Sequence, residues 1–176
     1  SIFYMDKQIK FKFLEHTADV KFQAFGKNLN ECFENCASAM INSQYAGEIK
    51  KKIKKKIRVK GKDLENLLYN FLEEILFLAE KGFLTAKAKI RISEDTENKK
   101  NKEVFHLSKS GRFENKKFSV PFKTRSFEGK KTLEAELIGD DIKKYKLSWD
   151  IKAVTYNEMF IRLEKGKWIA QVVIDV

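Results

Sequence analysis

The sequence of 176 residues has few cysteines, histidines and prolines, and it has no long apolar run. It contains two cysteines, two histidines and one proline. Two cysteines offer no disulfide framework, which favours a reducing compartment. No apolar run reaches the roughly 18 residues that a membrane span needs. The N-terminal residues also lack the apolar core and cleavage site of a secretory signal. We therefore expect a cytoplasmic protein that does not associate with membranes.

The two cysteines, Cys32 and Cys36, are four residues apart and would share one face of a helix with apolar neighbours. Packing of two small apolar groups in a core accounts for them. A zinc site would need further cysteine or histidine ligands, and only His16 and His106 are available. We expect neither a zinc site nor a cysteine nucleophile.

Familiar catalytic motifs are also missing. The eight glycines are scattered, and none lies in a GxxxxGK[ST] or GxGxxG frame. A GxSxG motif is absent, and the two histidines are far apart in the sequence. The side chains that remain as candidates for a functional site are carboxylates. Glu15 and Asp19 lie in the stretch "EHTADV", and Asp175 lies next to the end of the chain.

Positive charge is in excess, with 36 basic and 25 acidic residues and a formal net charge of +11. The densest basic run covers residues 48–62, where Ile53, Ile57 and Val59 share one parity. This pattern predicts an edge strand with a solvated basic face, on which lysines prevent unwanted strand pairing. The alternative is a patch that attracts the phosphates of RNA. No aromatic residues alternate with the lysines to stack on bases, so the solvated edge is favoured.

Two segments have the apolar periodicity of amphipathic helices. The first begins at Asn28, which can form a capping box with Glu31, and it ends before Gly47. The second begins near Asp63 and ends at Gly82. One-sided helices of this kind must cover a sheet or each other.

Most of the remaining sequence is typical of strands. Alternating patterns occur at 84–92 and 131–138, and Gly166 turns the last two strands into a hairpin. We expect one α+β domain over residues 1–176, with an antiparallel or mixed sheet packed against two amphipathic helices. Residues 94–130 are charged and turn-rich at both ends, with short strand patterns between. We interpret them as an inserted β-rich lobe or a long hairpin.

Two sequence features place acidic residues at strand ends. "IKFKF" and "KFQAF" alternate like strands on either side of "EHTADV", so this polar stretch lies at a strand end or turn. The apolar strand "WIAQVVI" runs into Asp175, followed by Val176 and its α-carboxylate. Two negative charges at the end of a buried strand repel each other. They require a lysine or arginine, a metal ion or solvent exposure, and the residues alone leave these alternatives open.

The sequence resembles the archease family, the partner proteins of RtcB-type tRNA-splicing RNA ligases. The resemblance rests on blocks in family order across residues 11–176: "EHTADV", "GKNLNECFENCA", "KDLENLLYNFLEEILFL", "IKAVTY" and "GKWIAQVVIDV". It implies a fold in which the strand ends at residues 19 and 175 lie side by side.

The resemblance also implies a metal site. Asp19, Asp175 and the terminal carboxylate of Val176 would bind a divalent cation, calcium in the family, with magnesium or manganese as alternatives. His16 and Thr17 would shape the loop rather than bind metal.

Contacts with a partner or nucleotide are implied at His16, Lys144 and Lys152. The sequence departs from the family pattern at two places. Asn157 and Tyr145 stand where members usually have histidine, so roles of those histidines do not carry over.

The function implied by the resemblance is that of a non-enzymatic activator. It would help an RtcB-type ligase become guanylylated with GTP and sustain many turnovers in tRNA splicing or RNA repair. A second hypothesis is an RNA-associated chaperone or binding module for an RNA-modifying enzyme, suggested by the net charge. A third is a small metal-dependent hydrolase that uses the carboxylates. Direct or indirect contact with tRNA is compatible with the first two.

Overall fold

The computed structural model describes residues 9–94 and 131–176 of the chain. Beyond Glu94, the inserted lobe expected at 94–130 lies outside the described residues, as does His106. The structural statements below refer to the described part.

Seven strands and two α-helices make up this part. The strands are β1 (Phe11–Leu14), β2 (Val20–Gly26), β3 (Ile53–Gly61), β4 (Phe83–Glu94), β5 (Lys131–Asp141), β6 (Ala153–Glu164) and β7 (Lys167–Asp175). The helices are α1 (Leu29–Gln44) and α2 (Leu64–Glu80), and a short 3₁₀ helix covers Ile142–Lys144. The predicted α+β class is confirmed.

The described strands form two antiparallel sheets, where one sheet was expected. The first has the order β1-β2-β7-β6, and the second has the order β3-β5-β4. Alternation along a strand shows which face is apolar, but it does not show which strand is the neighbour. The sequence pattern could therefore identify the strands without dividing them between sheets.

Both helices begin where their capping residues predicted. Asn28 Oδ1 accepts a hydrogen bond from the Glu31 N–H at 2.9 Å. The Glu31 carboxylate accepts one from the Lys27 N–H at 2.8 Å, one residue before the expected partner. Asp63 caps α2 by accepting from the Asn66 N–H at 2.7 Å. These bonds satisfy N–H groups at or beside each helix start that the helix itself leaves unpaired.

The core lies between the two sheets and the two helices. Helix α1 packs on β2 and β4, and α2 packs on β3 and β6, so each helix contacts both sheets. Cys32 and Cys36 are fully buried in this core, as predicted. Burial raises the pKa of the Cys36 thiol. No helix of the described residues is long and apolar enough to cross a bilayer.

The basic run forms the edge strand that its pattern predicted. Strand β3 pairs with β5 on one side and lies at the end of its sheet. Ile57 is buried, while Lys54 and Lys56 are exposed. Lys54 Nζ lies 3.7 Å from a Glu136 oxygen, an exposed ion pair of small energetic value.

Candidate metal centre

The register of β2 and β7 brings the two predicted acidic strand ends together. Val20 pairs with Ile174 in an antiparallel ladder. Asp19 and Asp175 are the next residues on the two strands beyond this pair, and Asp175 comes immediately before Val176. Facing residues in such a ladder have Cα atoms about 5 Å apart. Acidic groups that are 156 positions apart in sequence thus become neighbours at one end of the first sheet.

The stretch "EHTADV" forms the turn between β1 and β2, as predicted. Strand β1 ends at Leu14 and β2 begins at Val20. Within the turn, Ala18 has a φ of 66°, in the left-handed region that residues other than glycine rarely adopt. This conformation reverses the chain between His16 and Asp19, whose side chains lie close together.

His16 lies between two carboxylates. Its Nε2 atom is 3.2 Å from Glu158 Oε2, and its Nδ1 atom is 3.8 Å from Asp19 Oδ2. The Nδ1 atom is buried and has no hydrogen-bond partner among the described residues. Lys21 Nζ donates to both oxygens of Glu158 at 3.1 Å. The hydrogen bonds from Lys21, and then from His16, lower the pKa of Glu158.

A bulge in β6 brings Glu158 to His16. The pairing of β6 with β7 shifts register between Thr155 and Phe160, and Glu158 has a φ of 51°. Its carbonyl accepts from Gln171 Nε2 at 2.8 Å, and the Gln171 side chain accepts from Gln23 Nε2 at 2.9 Å. Sequence reasoning missed Glu158 because no pattern in "TYNEMF" marks a bulge, and the segment looked like two ordinary strand pieces.

Asp175 and Lys152 are joined through their backbones. The Asp175 carbonyl accepts from the Lys152 N–H at 2.8 Å, and Asp175 pairs with Ala153. Asp175 is half-buried, and Val176 packs against the core. Lys152 is exposed at the same end of the sheet. The structure therefore brings Lys152 to the acidic pair.

A cavity of about 270 Å³ lies beside Asp19. Two of its walls are aromatic side chains that are also open to solvent, Phe13 at 44% and Trp149 at 46% exposed. The solvent-facing side of the cavity beside Asp19 thus has an aromatic rim. The cavity is lined by Phe13, Leu14, Asp19, Val20, Lys21, Asn42, Ser43 and Trp149.

Lys144 has a different partner, the buried acid Asp140. Lys144 Nζ lies 2.8 Å from Asp140 Oδ1, and the Tyr145 hydroxyl donates to Asp140 Oδ2 at 3.0 Å. The Lys50 N–H in turn donates to the Tyr145 hydroxyl at 2.9 Å. The Asp140 side chain is only 1% exposed, and the hydrogen bond from Lys144 is the main cause that lowers its pKa to about 2.

Sequence reasoning missed Asp140, although a signal was available. It lies at the end of the apolar pattern "KTLEAELI", just as Asp175 lies at the end of "WIAQVVI". The argument that an acid at the end of a buried strand needs a cation applies to both. For Asp140 the cation is Lys144.

The donor set at the sheet end fits a divalent cation in its chemistry. Among residues 9–94 and 131–176, no three His, Cys, Asp or Glu side chains are already arranged to hold a metal ion. The set implied by the resemblance has two such side chains, Asp19 and Asp175, and a terminal carboxylate expected at Val176. These are the hard oxygen ligands that Ca²⁺ and Mg²⁺ prefer. The unpartnered Nδ1 atom of His16 lies 3.8 Å from Asp19 Oδ2. Because the side chains are not yet grouped around one point, binding would require them to rotate.

Comparison with known proteins decides the family. The model of the Archease protein family (MTH1598/TM1083) matches residues 11–119 and 101–176. The chain belongs to the archease family. It is 33% identical over 170 residues to the protein archease of Methanosarcina barkeri, covering 95% of this chain and 96% of that one. It is 32% identical over 167 residues to the archease of Pyrococcus furiosus, covering 92% and 95%.

Solved structures support the archease fold. A solution structure of protein 1598 from Methanobacterium thermoautotrophicum superposes with a TM-score of 0.66 at 24% identity, covering 95% of this chain and 99% of that one. A crystal structure of an archease from Thermotoga maritima, described as a possible chaperone, gives 0.52 at 16% identity, covering 94% and 96%. At these identities the likeness concerns the fold alone.

Proposed function

We propose that this archease-family chain is a non-enzymatic activator of an RtcB-type RNA ligase in tRNA splicing or RNA repair. It would promote GTP-dependent guanylylation of the ligase and multiple turnover through a carboxylate metal site. The observation that carries the proposal is the pairing of Val20 with Ile174, which sets Asp19 beside Asp175 at the chain end. Family membership supports a partner-directed role, and the description of the Thermotoga maritima archease as a possible chaperone agrees with it.

In this proposal Asp19, Asp175 and the Val176 carboxylate hold one divalent cation, with calcium, magnesium and manganese as the candidate ions. The cation would supply positive charge where the partner presents anionic groups. The chain's own contribution is to position the ligands. The β2–β7 ladder fixes both aspartates at one sheet end, and the exposed rings of Phe13 and Trp149 offer the partner a contact surface beside them.

The lysines would act on the partner or its nucleotide. Lys152 is exposed next to Asp175, where its ammonium group can attract a phosphate. Lys144 pairs its ammonium group with Asp140, which offsets the charge, but its side chain is 52% exposed, so its remaining N–H groups can still donate to a partner. His16 would contact the partner only through its exposed edge, because Glu158 already engages Nε2.

The second candidate is an RNA-associated chaperone or binding module for an RNA-modifying enzyme. The exposed lysines of edge strand β3 favour it, because a basic edge attracts the phosphates of RNA at long range. Tight RNA binding without any ligase present would support this candidate over the first. Intrinsic phosphatase activity would instead support the third hypothesis, a small hydrolase.

The deciding experiment is a stimulation assay with a purified RtcB-type ligase, GTP and Mn²⁺ or Mg²⁺. The chain should increase guanylylation and the number of ligation turnovers, and it should ligate nothing alone. Asp19→Asn should lose the stimulation, whereas Glu15→Gln, which changes an exposed acid of the same turn, should keep it. Lack of stimulation by the unmodified chain would refute the activator role. Full stimulation by Asp19→Asn would refute the part played by the metal site.

A further inference from the structure

His16 has one ring nitrogen that its surroundings leave without a partner. Nδ1 is buried and makes no hydrogen bond within the described part of the chain, while Nε2 lies 3.2 Å from Glu158 Oε2. Buried polar atoms in native structures are nearly always paired, and an exception calls for an explanation such as an ion. Nδ1 is therefore the feature of this site that the carboxylate set does not explain.

The contact with Glu158 fixes which nitrogen carries the proton. A carboxylate oxygen can only accept, so Nε2 must be the donor, and in a neutral imidazole the lone pair then lies on Nδ1. Lys21 donates to both oxygens of Glu158 at 3.1 Å and balances its charge. Nδ1 is the ring nitrogen that lies near Asp19.

The distance between Nδ1 and Asp19 suits two ligands of one ion. At 3.8 Å the contact with Asp19 Oδ2 is too long for a hydrogen bond. Two metal–ligand bonds of roughly 2.1 Å at a tetrahedral angle separate their donor atoms by about 3.4 Å. A small rotation of Asp19 would close the difference. An imidazole that donates its other N–H to a carboxylate is also the usual arrangement of metal-binding histidines.

We propose that His16 Nδ1 is a nitrogen ligand of the cation held by Asp19, and that Glu158 is the positioning residue that orients the ring. The inference rests on the metal site of the proposed function and extends its ligand set. It replaces the expectation that His16 only shapes the loop. It also changes the ion expected, because imidazole suits ions such as Zn²⁺ and Ni²⁺, whereas Ca²⁺, Mg²⁺ and Mn²⁺ prefer oxygen ligands.

The main alternative is a structural role for His16. A protonated ring could link the turn at residues 15–19 to the β6 bulge by attracting both Glu158 and Asp19. In that case, removing the ring would loosen the turn and lower the binding affinity for every cation to a similar degree. A ligand role predicts selective loss for ions that accept nitrogen.

The composition of the chain makes a direct spectroscopic test possible. Only two histidines are present, so the His106→Ala protein carries a single imidazole, that of His16. Pulsed electron paramagnetic resonance of bound Mn²⁺ should detect ¹⁴N coupling from a directly bound imidazole in this protein. The coupling should disappear in His106→Ala/His16→Asn. In parallel, long-range ¹H–¹⁵N spectra of His106→Ala should show the Nδ1 resonance of His16 shifting when Zn²⁺ is added. This second test needs no substitution of His16.

Affinity measurements complete the test. Calorimetry should show that His16→Asn weakens Zn²⁺ and Ni²⁺ binding at least about tenfold, on the order expected for loss of a ligand or its support, and Ca²⁺ binding less than about twofold. If Mn²⁺ binds and needs Asp19, but neither spectrum shows His16 nitrogen, the inference is wrong and the carboxylate site stands. If no divalent ion binds the unmodified chain, both the inference and the metal site are wrong. Equal weakening of all ions would assign His16 the structural role.

Discussion

His16 Nε2 lies 3.2 Å from Glu158 Oε2, although 142 positions separate the two residues in sequence. The contact joins the turn before β2 to the bulge of β6, on either side of the strand that ends at Asp175. Ala18, in the same turn as His16, has a φ of 66°, and Glu158 itself has a φ of 51°. Positive φ occurs in ordinary turns, as at Lys165 with a φ of 48°, and it also occurs at functional sites.

Replacing Glu158 should weaken the metal site without touching a ligand. Glu158→Ala should lower the affinity for Zn²⁺ by roughly 10- to 100-fold, the usual effect of removing the group that orients a ligating histidine. Glu164→Ala is the matched control, because it removes an exposed acid of the same strand that pairs with Arg162. Calorimetric titration of both variants checks the prediction. Equal affinities in the two variants would mean that Glu158 does not orient the ring.

The left-handed residue of the turn gives a stability prediction. Glycine adopts a φ of 66° without steric cost, so Ala18→Gly should be neutral or stabilising by up to about 1 kcal/mol. Ala46→Gly is the control, since Ala46 is exposed outside regular structure and does not have positive φ. It should destabilise by about 0.4–1 kcal/mol through the unfolded chain. Urea denaturation measures both, and a larger loss for Ala18→Gly than for Ala46→Gly would contradict the strain argument.

The basic edge strand should contribute little to ligase activation. Lys51, Lys52 and Lys56 are exposed, and replacing all three with glutamine should leave stimulation nearly unchanged at physiological salt. Lys55 is kept because its ammonium group lies 5.4 Å from the Phe83 ring centroid. If the strand meets RNA, the triple variant should lose activity most at low salt, where screening is weak. A large loss at physiological salt would overturn the interpretation as a solvated edge.

The ion pair of the buried Asp140 with the half-exposed Lys144 predicts a dependence of stability on pH. The folded pKa of Asp140 is about 2, below its ordinary value of 3.8. A carboxyl with a lowered pKa stabilises the fold at pH values above the ordinary one, and this contribution is lost as the pH falls through the folded pKa. Asp140→Asn should therefore be less stable than the unmodified chain at pH 7. The difference should shrink between about pH 4 and pH 2.

Denaturation of the two proteins at several pH values measures this difference. Asp150→Asn is a suitable control, because Asp150 is exposed and lies in the loop between the 3₁₀ helix and β6. The difference in the free energy of unfolding between Asp140→Asn and the unmodified chain could instead stay constant from pH 7 to pH 2. That result would show that the charge of Asp140 does not cause the difference.

The two helices and their first residues were predictable because local chemistry determines them. Asn28 and Asp63 cap their helices in any tertiary setting, and the apolar periodicity fixed the buried faces. The proximity of Asp19 and Asp175 was expected only from the family resemblance. It depends on β2 pairing with β7, and alternation within each strand does not specify a neighbour.

The contacts within the site were harder to foresee. Glu158 reaches His16 because β6 bulges, and a bulge depends on packing between strands rather than on a local motif. Asp140 is the opposite case. Its position after an apolar strand was visible, and the reasoning applied to Asp175 would have marked Asp140 as an acid that needs a cation or solvent, without choosing Lys144.

The proposed metal site depends most directly on the terminal carboxylate of Val176. An extension beyond Val176 would turn that carboxylate into a neutral amide carbonyl, and divalent cations bind anionic oxygens more strongly. The β2–β7 ladder would still form, so the fold should keep its stability. An extension before Ser1 is the matched control, and Asp175→Asn removes one charge at the same place while keeping the side chain's shape.

Calorimetric titration of Mn²⁺ and Ca²⁺ into these three proteins and the unmodified chain is the decisive measurement. The account predicts weaker binding of both ions to the C-terminally extended protein and to Asp175→Asn, and unchanged binding to the N-terminally extended protein. Equal affinities for the two extended proteins would contradict it and would remove the terminal carboxylate from the site.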